Sequence, residues 1–91
     1  MIVVTRDSGL ANGGATARIF VDGREAANLR PTQQARIYLG AGDYLIAVGQ
    51  NSENVQAAAE TVTRGEGECR FRISAEPGKF SLIPVLNMSR N

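Results

Sequence analysis

Apolar residues in this chain recur at every second position, in runs that glycine, proline or an Asp-Gly pair cuts before any of them reaches helical length. Ala17, Ile19 and Val21 alternate with Arg18, Phe20 and Asp22, and Ala35, Ile37 and Leu39 alternate with Arg36 and Tyr38. Tyr44, Ile46 and Val48 alternate with Leu45, Ala47 and Gly49, and Cys69, Phe71 and Ile73 with Arg70, Arg72 and Ser74. A period of two sends each set to its own face of a strand, so these runs read as half-buried strands. The expected fold is all-β: a small antiparallel β-sandwich or open barrel of about seven or eight short strands.

The stretch "IYLGAGDYLIAVG", residues 37–49, tests that reading, because a Gly-Ala-Gly break between two apolar runs also suggests a phosphate-cradling loop. Such a loop must open a helix whose first N–H groups complete the site. Here the residues after the break keep a period of two, and no Gly-Lys-Ser/Thr follows, so the expectation is a hairpin with a turn at Ala41-Gly42. Asp22-Gly23 predicts a second tight hairpin, with "REAANL" returning as a strand; a helical turn over 25–29 is the rival, opposed by Pro31. "NSENVQAAAE", 51–60, reads either as a helix with Glu53 in its first turn or as a turn followed by an alanine-rich edge strand, "VQAAAETVT". Pro77-Gly78 predicts the last turn, and Pro84 in "KFSLIPVL" fits a sheet edge or bulge.

At 91 residues and 43% apolar, the chain suits one compact domain over 1–91, with a glycine-rich loop at 7–16 and a polar tail at 87–91. The predicted inward residues are Ile19, Val21, Ile37, Leu39, Ile46, Val48, Cys69, Phe71 and Leu82. Asn87-Met88-Ser89 has the form of a glycosylation acceptor, which matters only in a eukaryotic secreted chain. Residues 1–6 are too short, and too soon closed by Arg6 and Asp7, for the apolar part of a signal peptide, and no run approaches the roughly eighteen residues of a membrane span. No membrane insertion of this chain is expected.

The side-chain inventory argues against an enzyme. There is no histidine, hence neither the commonest near-neutral acid–base group nor the usual partner of a serine or cysteine nucleophile. Cys69 stands alone, so it reads as a small apolar residue and not as half of a disulfide or part of a zinc site. Asp22, Asp43, Glu66 and Glu68 read as solvated carboxylates of turns. Asp7, Ser8 and Asn12 lack the spacing of a calcium loop and read as turn caps. No catalytic residue, metal ligand or cofactor is expected.

Binding is the remaining class. Lysine occurs only at 79, whereas Arg18, Arg36, Arg70 and Arg72 all fall on predicted solvent faces, with Phe20 beside the first and Tyr38 beside the second. If those strands were neighbours they would form an arginine and aromatic surface suited to a peptide, an acidic glycan or single-stranded nucleic acid. Ten basic and nine acidic groups leave a formal charge of +1 and there is no basic run, which argues against nucleic acid. The alternative is that Phe20 joins a second apolar layer while the arginines pair with Glu25, Glu66 and Glu68. A different surface is the edge of the alanine-rich segment, where Val55, Gln56, Ala58, Glu60 and Arg64 would meet a partner strand.

Residues 17–49, with Val21-Asp22-Gly23 at the first turn and Leu39, Gly42 and Tyr44 around the second, resemble the small bacterial β-sandwich modules related to PEGA domains and to domains of envelope lipoproteins. Ala41 stands where that pattern commonly has proline. The resemblance implies a non-enzymatic binding or spacer module of a bacterial envelope-associated protein, placed in the periplasm or cell envelope if cut from an exported parent and in the cytoplasm otherwise. Taken with the edge, it leads to an expectation of protein–protein interaction or homo-oligomerisation, with glycan binding or single-stranded nucleic-acid binding through the arginine surface as the alternatives.

Overall fold

The computed structural model describes residues 1–7, 16–51, 54–63, 68–76 and 79–85. They form eight strands: β1 (Ile2–Arg6), β2 (Ala17–Val21), β3 (Arg24–Leu29), β4 (Gln34–Ile37), β5 (Gly42–Asn51), β6 (Asn54–Thr63), β7 (Cys69–Glu76) and β8 (Lys79–Val85). Sheet I has the order β4-β1-β7-β8 and sheet II the order β3-β2-β5-β6. The two sheets stack as an open β-sandwich and do not close into a barrel. The segment 51–60, for which helix and strand stood as rivals, is strand, and so is "REAANL". The loop expected over 7–16 lies, from 8 to 15, outside the described residues, as do 64–67, Pro77-Gly78 and the tail at 87–91 with its Asn87-Met88-Ser89.

Among the described residues all pairings are antiparallel except one: β1 runs parallel to β7, matching Ile2 with Cys69 and Arg6 with Ile73. β1 also pairs with β4 on its other side, so the first strand of the chain lies inside sheet I. Its composition suits that place, since Ile2, Val3 and Val4 are β-formers with no exposure on either face.

The turn at Asp22-Gly23 is as its residues require. Val21 pairs with Arg24 across a two-residue loop in which Asp22 (φ 51°) and Gly23 (φ 85°) both have positive φ, the geometry that favours Asp-Gly. Asp22 is also tied to β5, its carboxylate oxygen accepting from the Leu45 N–H at 2.8 Å. The break at 38–41 is not a hairpin. β4 pairs with β1 in sheet I, whereas β5 pairs with β2 and β6 in sheet II, so "YLGA" carries the chain from one sheet to the other. Period-two runs flanking a short glycine break are the same for a hairpin and for an inter-sheet crossing; only the pairing distinguishes them. Strand, not helix, follows the glycines, so no phosphate loop is formed.

Between the sheets lies one apolar cluster of Ile2, Val4, Ala17, Ile19, Leu29, Ile46, Val48, Phe71, Ile73 and Phe80. Of the predicted inward residues, Ile19, Ile46, Val48 and Phe71 belong to it, and Val21, Ile37, Leu39, Cys69 and Leu82 pack against it half-buried. At one end the cluster admits a cation: Arg6 is 1% exposed, donates from Nη1 to the Leu29 carbonyl at 2.9 Å, and holds its guanidinium carbon 5.0 Å from the centre of the Phe80 ring. Burial lowers the pKa of this group from its ordinary value and Asp7 opposes the shift.

Phe71, at 5% exposure, belongs to the core cluster. Phe71→Ala is expected to cost about 3–5 kcal/mol of unfolding free energy, read as a shift in the chemical-denaturation midpoint at unchanged slope; near-native stability would remove it from the core.

Candidate interaction edge

Each sheet has two edge strands, and they face one another in pairs: β3 lies against β4 on one side of the sandwich, and β6 against β8 on the other. Which backbone groups β6 offers outward follows from β5. Both backbone groups of Leu45 are turned away from β6, its N–H to the Asp22 carboxylate and its carbonyl to the Asp22 N–H at 2.9 Å. Direction alternates along an antiparallel strand, so Ile46 turns to β6, and its partner there is Ala59. Ala59 therefore bonds into the sheet, and Ala58 and Glu60 direct their N–H and C=O groups to the open edge.

The rest of that side is better defended. Ala57 pairs with Val48 and Val55 with Gly49, so Gln56 is the extra residue of a bulge. Its side-chain oxygen accepts from the Phe80 N–H of β8 at 2.8 Å, tying the two sheets together. That bond also sets the direction of β8: the Phe80 N–H points away from β7, and Pro84, four residues on and in the same phase, has no N–H to offer. Gln56, expected as part of a partner-binding edge, is thus committed to the fold. Val55 is 47% exposed and Ala58 and Glu60 are exposed, while Arg64 lies outside the described residues.

Two clefts meet β6 at Glu60 and Thr61. The first, of about 340 Å³, is lined by Asp43, Tyr44, Leu45, Glu60 and Thr61. The second, of about 300 Å³, lies where β6 approaches sheet I and is lined by Glu60, Thr61, Glu68, Cys69, Arg70, Phe71, Pro84 and Val85. Glu60 from the expected edge and Arg70 from the expected arginine surface therefore share one cleft. Asp43 and Leu45 belong to the site although the sequence marked Asp43 only as a turn carboxylate. Their even spacing on β5 was visible, but their place beside Glu60 depends on the pairing of Leu45 with Glu60.

The arginine and aromatic set is divided between the sheets. Arg18 and Phe20 lie on sheet II, where Arg18 donates from Nε to the Gln50 carbonyl at 3.0 Å and pairs with Glu25 at 3.2 Å. Phe20 is only 3% exposed, so it offers no stacking surface; an apolar residue on the outer side of a strand is buried whenever something covers that side, and periodicity does not report the cover. Arg36, Arg70 and Arg72 are exposed on sheet I, Arg36 and Arg70 standing on either side of Val3. Arg70 pairs with Glu68 at 2.8 Å, and Tyr38 is 76% exposed just beyond β4. Of the other weighed residues, Cys69 is a half-buried free thiol, and Ser8, Asn12, Glu53 and Glu66 lie outside the described residues. Among the described residues no group of three His, Cys, Asp or Glu is placed to hold a metal ion, and no helix is long and apolar enough to cross a membrane.

No protein-family model, curated protein or solved structure matches this chain.

The Gln56 bond is testable apart from any partner. Gln56→Leu is expected to cost about 0.5–1.5 kcal/mol and to speed hydrogen exchange selectively at the Phe80 amide; an unchanged Phe80 exchange rate would show that the bond does not protect β8.

Proposed function

We propose that this chain is a non-enzymatic binding module that holds an extended protein segment by strand addition along β6. The observation that carries the reading is the outward direction of the Ala58 and Glu60 backbone groups on a ten-residue edge strand that contains neither lysine nor proline, the usual deterrents to added strands. The companion edge, β8, is blunted by the Gln56 bond and Pro84, so pairing is directed to β6. Absence of histidine from the chain supports binding over catalysis. The resemblance of residues 17–49 to PEGA-like modules supports a place in a bacterial envelope-associated protein, and fractionation of cells making the full-length parent tests that place.

A surface for an anionic ligand is the second reading, and one observation favours it: Arg36 and Arg72 are exposed on the same face of sheet I without an acidic partner among the described residues. Acidic glycans are the matching class. It ranks second because the face is flat and Phe20 is buried elsewhere.

Proline scanning separates the two. Ala58→Pro removes a donor that faces outward, so it should lower capture from a displayed random-peptide library about tenfold while costing less than about 1 kcal/mol of stability. Ala59→Pro removes a ladder bond to β5 and should cost about 3 kcal/mol or more. Capture that survives Ala58→Pro but is lost in Arg36→Glu/Arg72→Glu would transfer the function to the arginine face.

A further inference from the structure

The clefts on β6 specify more than an open edge. Both are bounded by Glu60 and Thr61, consecutive residues whose side chains leave opposite faces of the strand. A strand added at this edge would also send consecutive side chains to opposite faces. One would stand on the outer side of sheet II beside Glu60, and the next would point between the sheets beside Thr61. Two neighbouring residues of a partner would then meet two different clefts.

Their chemistry differs. On the outer side, Glu60 pairs across β5 with Leu45, which is 44% exposed, and Asp43 lies on the same face of β5. Neither Asp43 nor Glu60 has an ion-pair or side-chain hydrogen-bond partner among the described residues. A side chain with a cationic end matches this face: from an added strand it stands one strand spacing from Glu60 and brings its charge to that carboxylate, whose field Asp43 on the next strand reinforces. Between the sheets, Phe71 and its partner Pro84 present carbon, Val85 adds to it at the rim, and the charges there, Glu68 and Arg70, already neutralise each other at 2.8 Å. A volume of about 300 Å³ there accepts one large apolar side chain.

We infer that the segment bound along β6 is an extended strand carrying a lysine or arginine next to a large apolar residue, the basic side chain opposite Glu60 and the apolar one in the cleft against Phe71, Pro84 and Val85. The inference rests on the strand-addition reading and gives it a partner of defined chemistry.

The probe is a capped octapeptide, Thr-Val-Thr-Lys-Phe-Thr-Val-Thr, titrated into the intact chain and followed by backbone amide shifts and calorimetry. Shifts centred on Ala58, Glu60 and Thr61 are expected. Replacing the peptide lysine by glutamate, or its phenylalanine by alanine, should each weaken binding about tenfold. The variant Glu60→Lys should reverse the charge preference and bind the glutamate peptide the more tightly; its own folding is checked by its unchanged denaturation midpoint. Equal affinity for the lysine and glutamate peptides, with shifts still on β6, would overturn the basic-partner inference and leave strand addition standing. Shifts confined to Arg36, Arg70 and Arg72, or no shift with any peptide, would overturn both. Concentration-dependent shifts of β6 without peptide would make a second copy of the chain the occupant and reject the basic segment.

Discussion

The sandwich depends on where its first strand goes. β1 lies between β4 and β7, so sheet I is continuous only when Ile2–Arg6 has paired on both sides. Its parallel partner begins at Cys69, so this contact closes a loop containing the whole of sheet II. Such long-range closure carries an entropic cost. What offsets the cost is burial: Ile2 and Val4 enter the common core, and Val3 is covered on the other face. Arg6 then ends the strand in a way an aliphatic residue could not, reaching from sheet I to the Leu29 carbonyl of sheet II while its guanidinium lies over Phe80 of β8. Removing that cation from water opposes folding, and the hydrogen bond and ring contact return part of the loss. An arginine is suited to the position because a flat, delocalised cation can donate and stack at once.

With the core closed in this way, the two sides of the sandwich are unequal. The side formed by β3 and β4 carries an ordered polar set at its rim: Glu25 receives from both Arg18 and Asn28, and Gln33 accepts from the Arg30 N–H. On the side of β6 and β8, the Gln56 bulge joins the sheets, and the second cleft lies farther along β6 at Glu60 and Thr61. In the proposed strand addition, the same bulge that protects β8 would limit the segment of β6 open to a partner. Protection and access are consecutive parts of one strand, set by one extra residue.

Strands and most inward residues were legible because period two is a local property, and the Asp22-Gly23 turn because its φ values are a local demand. The assignment of strands to sheets was not. Gly-Ala-Gly at 40–42 read as a hairpin, yet β4 and β5 lie in different sheets, and no local signal distinguishes the two arrangements. The arginine and aromatic set is divided for the same reason: Arg18 and Arg36 have equivalent settings along their strands but opposite sheets receive them. Arg6 was invisible as a core residue because charge normally argues for the surface, and only the place of Leu29 and Phe80 shows how it is accommodated. The edge position of the alanine-rich strand was legible in part, through its small side chains. The two clefts were not, since each is made by residues from more than one strand.

Those small side chains would link the strand addition proposed at β6 to the strength of the fold. Ala57 and Ala59 are the inward residues of the strand that pack against the core, and they contribute far less apolar area than Ile46 and Val48 across the ladder. β6 is consequently held more by its backbone pairing with β5 than by burial of its own side chains. An edge strand held in this way opens more readily than the central strands. A strand added along Ala58 and Glu60 would supply the second row of backbone bonds that β6 lacks and would cover the clefts on either side of it.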